Sequence, residues 1–221
     1  MSDYSQPSQP EDSLAAIAAE VRHCQRCPLA QGRRNAVPGV GPAQSAIMFI
    51  GEGPGGMEDQ SGLPFVGPAG QYLDELLASI GLIREDVFIT NVVKCRPPNN
   101  RDPEPDEIDS CKPYLVRQLR LVDPEIIVTL GRFAMERWLP DQRITKVHGQ
   151  AFRFGRRLIV PMLHPAAALR RAEWRPWMIE DFQKLPHYID EARRLRAGDD
   201  PNAPISAITP PPDAPQQSRL L

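Results

Sequence analysis

The chain has 221 residues, 41% of them apolar, and a formal net charge of −2. That suffices for one domain of ordinary size with its own core and excludes a wholly disordered chain. The near-neutral balance does not advertise a polyanion partner, and no apolar run approaches the roughly 18–20 residues of a membrane-spanning helix.

Residues 1–12 are polar and acidic, so they read as a disordered tail and not as a signal peptide. The protein is therefore expected to be cytoplasmic, with no membrane partner, and its four cysteines reduced. SLAAIAAEVRHC (13–24) has helical apolar spacing after an acidic start. AIMFIG (46–51) is a short apolar run ending at glycine, a buried strand. GPAGQYLDELLASIGL (67–82) predicts a helix, VFITN (87–91) a second strand, and residues 104–122 a further helix. EIIVTLG (125–131) is a third strand, followed by a helix over RFAMERWL. RLIVPMLHP (157–165) is a fourth strand. WMIEDFQKLPHYIDEARRL (177–195) closes the domain as one helix kinked at Pro186. From 198 to 221 the chain is rich in proline and poor in aromatics, a second disordered tail. The domain itself is 13–197.

Strands rich in β-branched residues, without clean alternation, are buried on both faces. Four of them alternating with helices predict an α/β fold, a three-layer α/β/α sandwich around a central four-stranded parallel sheet. In such sheets ligands bind outside the carboxyl ends of the strands. GEGPG follows the first strand, Asn91 ends the second, Gly131 the third and His164 the fourth. The sheet thus aims all of them at one crevice.

Gly51-Glu52-Gly53-Pro54-Gly55-Gly56 formally matches the dinucleotide fingerprint G-x-G-x-x-G. That fingerprint needs a helix opening at once to meet a pyrophosphate. Here MEDQSGLPF follows, with Gly62 and Pro64, and is not expected to continue as a helix. Pro54 lacks a backbone donor, and Glu52, Glu58 and Asp59 would repel a pyrophosphate. A dinucleotide-dependent oxidoreductase is therefore disfavoured. What remains is a tight turn that approaches a ligand, with carboxylates beside it.

Cys24-x2-Cys27, Cys95 and Cys111 make a four-thiolate set by count. Count alone does not separate zinc from an iron–sulfur cluster. His164-Pro165-Ala166-Ala167-Ala168-Leu169-Arg170-Arg171 puts a histidine at the crevice edge with a basic stretch behind it. From Arg143 to Arg175 there are eight Lys or Arg against Glu173 alone, a local band suited to a phosphate backbone or to a solvated face. Taken singly, Asn91 reads equally as a turn cap and Phe65 as core.

GEGPG, PFVGPAG, ITNVVKCRPP, the TLG turn and HPAA, in that order and with the four cysteines, resemble the family 4 uracil-DNA glycosylases over about residues 20–195. The resemblance implies a monomeric DNA-repair hydrolase that flips uracil out of single- or double-stranded DNA and cuts its N-glycosidic bond. It implies a [4Fe–4S] cluster on Cys24, Cys27, Cys95 and Cys111, with zinc the lesser alternative. It also implies roles. His164 stabilises the leaving base, Asn91 reads uracil, and Phe65 stacks on the flipped ring. Glu58 and Gly53 shape the pocket, and Glu52 activates water. Leu169, Arg170 and Arg171 engage DNA as a wedging loop, and His148 contacts DNA or only its turn. A related branch traps uracil-DNA covalently through an inserted KRRIH-like loop. NVVK here runs straight into CRPP, which favours turnover over a non-turnover uracil-DNA-binding iron–sulfur protein.

Overall fold

The computed structural model describes residues 12–198 and 207–208. The two tail readings fall mostly outside them. Six strands form one sheet: β1 (Ile47–Gly51), β2 (Phe88–Asn91), β3 (Ile126–Leu130), β4 (Ala151–Phe154), β5 (Arg157–Met162) and β6 (Ala207–Ile208), in the order β2-β1-β3-β5-β4-β6. The four expected strands pair in parallel. The sequence reading missed β4 and β6, which extend the sheet antiparallel beyond β5. β4 is one arm of a hairpin turning at Gly155, and its burial fades toward the turn, so it lacks the apolar run that marks the others. β6 lies within the stretch read as a disordered tail.

Ten helices cover the sheet among the described residues: α1 (Leu14–His23), α2 (Leu29–Gly32), α3 (Gly56–Ser61), α4 (Pro68–Ala78), α5 (Pro105–Val122), α6 (Arg132–Met135), α7 (Ile144–Val147), α8 (Pro165–Arg170), α9 (Arg175–Gln183) and α10 (Leu185–Gly198). Successive strand residues point to opposite faces. Ile47, Phe49, Ile126, Val128 and Val160 pack with α4, α9 and α10. Met48, Ile50, Ile127 and Ile159 pack with α1 and α5. Both faces are therefore buried, and the three-layer α/β/α sandwich follows. No described helix is long and apolar enough to cross a membrane.

Two helix readings change. The closing helix is two helices that meet at Lys184, because Pro186 belongs in the first turn of α10 and cannot continue α9. A helix also opens immediately after the glycine-rich turn, contrary to expectation. Gly55 caps α3, and Gly62 ends it in the left-handed conformation (φ 75°).

The sequential order β1, β2 runs to one side of β1, and β3 lies on the other side. The loop after β1 therefore sits where the connections part, the position at which open sheets bind ligands.

Candidate nucleobase crevice and cysteine site

A cavity of about 370 Å³ opens at the carboxyl ends of the strands, at the small end of the range for ligand pockets. Glu52, Gly53, Glu58, Phe65, Asn91, His164 and Arg170 line it, so the sheet gathers seven of the sequence-predicted residues. Leu169 and Arg171 lie on the exposed surface beside it. Pro97, Asn100, Arg101 and Asp102 also line it and were not foreseen. Their signal was faint: a polar loop after β2, whose Asn99 and Asn100 both take left-handed φ (55° and 53°).

Asn91 is buried at the end of β2, and its Oδ1 has no hydrogen-bond partner. A buried amide oxygen left unpaired costs free energy unless something binds it. Gly51 makes room for it: a Cβ there would strike Asn91 Oδ1 and approach Phe65 Cζ to 2.6 Å. Phe65 is buried at φ 52°, and its ring stacks on His164 with centroids 5.6 Å apart. Arg84 fixes that strained backbone by donating to the Pro64 carbonyl at 2.8 Å and to the Phe65 carbonyl.

His164 is the N-cap of α8. Its Nδ1 accepts from Ala166 N at 3.1 Å, so a neutral ring carries its proton on Nε2. Part of the ring borders the cavity, but protein encloses the rest. That burial, aided by Arg170 and opposed by Glu58, lowers its pKa to about 4. At neutral pH it is an uncharged donor. Gly131 approaches it closely at φ 88°, where other residues are strained.

Glu52 has its carboxyl pushed up, first by burial and then by Asp102, with Arg132 opposing. It is therefore a better proton acceptor than an exposed glutamate. Glu58 does something the sequence did not disclose. Its Oε2 accepts from Gly55 N at 3.1 Å, and its Oε1 from Val66 N at 3.0 Å and Gly67 N at 2.9 Å. Gly55 and Gly67 cap α3 and α4, so one carboxylate closes two helix N-termini. This is the place a pyrophosphate would take. The fingerprint reading thus fails because the helix has an internal anion, although the helix itself exists.

The basic band does not form one face. The β4–β5 hairpin carries Arg156 and Arg157 to the far end of the sheet, where both pair with Asp123. Arg170 and Arg171 remain beside the crevice, and Arg171 lies over the Trp174 ring at 5.0 Å. Leu169, 40% exposed, sits on helix α8 and not in a loop. His148 is buried, bonded through Nδ1 to Asp181 at 2.6 Å and stacked on Trp177.

Behind β2 a second cavity is lined by Cys24, Cys27, Cys95 and Cys111 together. Arg33 donates to Cys95 Sγ at 3.0 Å and Lys94 N to Cys111 Sγ at 3.4 Å. Burial drives the Cys111 thiol up to about 11. Among the described residues, no group of three or more His, Cys, Asp or Glu is set to hold a single ion. The four cysteines share one cavity. Between the two cavities lies Lys94, buried, its own pKa lowered by burial to about 7.

Comparison with known proteins accords with this geometry. The Uracil DNA glycosylase superfamily profile matches residues 38–185. The chain belongs to that superfamily. It is 51% identical over 184 residues to a type-4 uracil-DNA glycosylase of Saccharolobus solfataricus, covering 79% of this chain and 85% of that one. The type-4 enzyme of Archaeoglobus fulgidus is 48% identical, covering 79% and 92%. That of Sulfurisphaera tokodaii is 49% identical, covering 79% and 84%.

Proposed function

We propose that this chain is a uracil-DNA glycosylase of the type-4 kind, which takes an extruded uracil into the crevice and hydrolyses its N-glycosidic bond. The observation that carries the reading is the buried, unpartnered Asn91 Oδ1, lining the same cavity as a neutral histidine that keeps its proton on Nε2.

Uracil offers an N3–H donor and an O4 acceptor along one edge. An Asn amide matches both, with Oδ1 accepting and Nδ2 donating. Cytosine reverses that pattern and would leave buried groups unpaired, a strong rejection. Phe65 supplies a ring for stacking, worth about 1–3 kcal/mol per base. As the glycosidic bond breaks, negative charge grows on the base and positive charge on the sugar. The His164 Nε2–H is a fixed donor for the first, and its enclosure strengthens the interaction. Glu52, with its raised proton affinity, takes the proton of the attacking water, and its charge favours the cationic sugar. Gly53 leaves the turn bare of a side chain at the pocket. Glu58 holds that turn to the Phe65 segment. Leu169 and Arg170 stand where the duplex meets the opening, and extrusion draws on both.

The four cysteines are assigned to a [4Fe–4S] cluster. The all-sulfur donor set fits it, as do the two N–H donors aimed at Cys95 and Cys111. When bound, the cluster supplies a tie between α1, α5 and the loop after β2. Zinc is the lesser alternative. The resemblance carries the remaining readings: a monomer, acting on single- or double-stranded DNA, in the cytoplasm.

The deciding experiment is incubation with a uracil-containing oligonucleotide, followed by alkaline scission at abasic sites. Strand cleavage with multiple turnovers supports the reading. Retention of uracil-DNA without release supports a trapping protein instead, and no interaction at all sinks both.

A further inference from the structure

Lys94 lies between the cysteine cavity and the crevice. Its side chain is 1% exposed and donates to Thr90 Oγ1 at 2.6 Å, the Asn91 carbonyl at 2.7 Å and Gln118 Oε1 at 2.8 Å. Three acceptors fill the three donors of an ammonium. None of them carries a formal charge. On its other flank Lys94 lines the cavity of the four cysteines, and its backbone N–H donates to Cys111 Sγ. A buried cation needs an opposite charge, and cluster-bound thiolates in the cavity that Lys94 lines would supply it.

The Asn91 Oδ1 has no hydrogen-bond partner to hold it in place. Its orientation is set by packing against Gly51 and Phe65 and by its own backbone. Past the Gly51 pairing the Val92 N–H donates to the Gly51 carbonyl and the Val93 N–H to the Glu52 carbonyl, while the Asn91 carbonyl takes the bond from Lys94. A short, charge-assisted bond is well suited to fix it.

We propose that Lys94 is a positioning residue: the charge of the sulfur site holds its ammonium, and the ammonium holds the end of β2 so that the Asn91 amide meets the base. This rests on the reading of the crevice as a uracil pocket. The selectivity of the pocket then depends on the loaded cysteine site through one side chain. A shift of about 1 Å in a recognition group costs on the order of 10²-fold in rate.

The test compares Lys94→Met with Gln118→Leu. Both disturb the same buried network, but the second leaves the bond from Lys94 to Asn91 in place. Each variant is assayed for iron and sulfide per chain, single-turnover cleavage of uracil-DNA, inhibition by free uracil, and the cluster's reduction potential. Lys94→Met should keep its iron, lose about 10²-fold in rate, bind free uracil correspondingly less, and show a more negative potential because a nearby cation is gone. Gln118→Leu should melt earlier but keep its uracil inhibition. Equal losses in both variants, or wild-type uracil inhibition in Lys94→Met, would overturn the proposal. Should Lys94→Met fail to hold iron, Lys94→Gln repeats the comparison with a neutral donor in place. If that variant also lacks iron, Lys94 serves assembly of the site and the positioning role is wrong. A wild-type protein that neither cleaves uracil-DNA nor is inhibited by uracil would instead sink the pocket reading itself.

Discussion

His148 and His164 both lie at the carboxyl-terminal side of β5, each with its ring stacked on an aromatic neighbour, Trp177 at 5.7 Å and Phe65 at 5.6 Å. What meets Nδ1 separates them. At His148 it is the Asp181 carboxylate, which also takes the Lys184 ammonium at 2.9 Å. At His164 it is a backbone N–H, which forces Nδ1 to accept and leaves the proton on Nε2, in a residue that lines a cavity. The first region spends its charged groups on one another and packs closed. The second leaves donors and acceptors unspent around an opening. A buried group whose capacity is unspent points to a site where it also borders an opening, because folding alone does not reward it.

The comparison breaks most visibly at Asp181. Asp181→Ala leaves His148 and a buried lysine facing each other without their anion. Removing one partner of such a buried set costs roughly 3–5 kcal/mol. Urea unfolding should register that loss, while the protein that stays folded in the cold should still cleave at nearly the native rate. A large rate defect with unchanged unfolding would mean that this region belongs to the chemistry.

His164→Ala should do the reverse. It removes a donor to charge that grows only in the transition state, so single-turnover cleavage should fall by about 10²–10³-fold with uracil-DNA binding little altered. A native rate would displace His164 from its assigned role. Asn91→Ala should slow cleavage too and weaken preference for uracil over cytosine among competing free bases, since the rejecting dipole is gone. Unchanged preference would remove Asn91 from base reading.

Protonation sharpens the contrast further. The folded-state pKa of His164, about 4, lies below the ordinary value of 6.5. The folded chain therefore resists a proton that the unfolded chain accepts, and stability drains as pH falls from about 6.5 toward 4. His164→Asn should flatten that part of the stability curve. With Glu52 as the proposed acceptor of the water's proton, its raised pKa sets the expected acid limb, so cleavage should fail at a pH above the usual carboxylate range. Glu52→Gln should be slow at every pH and lose that limb.

Much of this site was legible before any coordinates. Gly51, Asn91, Gly131 and His164 each close a run of apolar residues, and a parallel sheet has to aim such positions at one crevice. The parts that stayed hidden depend on contacts that only the folded backbone brings together. Nothing near Glu58 in the sequence says that it will cap α3 and α4 together, since its partners Val66 and Gly67 are brought back only by the intervening turn. Lys94 reads as an ordinary charged residue between apolar ones, and its burial appears only when α5 delivers Gln118 and Cys111 to either side. The basic band was misread for the same reason. One-dimensional charge density cannot see a hairpin that sends its middle to the opposite end of the sheet.

That divided band gives the smallest expected effect, and it tests the same distinction on the surface. Arg156 and Arg157 already share Asp123, which Arg196 also approaches at 3.4 Å, so their charge is largely answered within the fold. Arg170 and Arg171 are exposed beside the crevice; no ion pair is formed by either among the described residues, and Arg171 is propped by Trp174. A phosphate contact releases counterions, so each arginine that makes one contributes about one unit to the slope of log affinity against log salt. Arg170→Ala and Arg171→Ala should each flatten that slope by about one unit, equally for DNA with and without uracil. Arg156→Ala should leave it as it was. Leu169→Ala, with no charge to lose, should keep the slope but slow cleavage of paired uracil more than of single strands, because only paired DNA resists extrusion. A slope that falls with Arg156→Ala and stands with Arg170→Ala would put the DNA at the other end of the sheet and detach the crevice from its substrate.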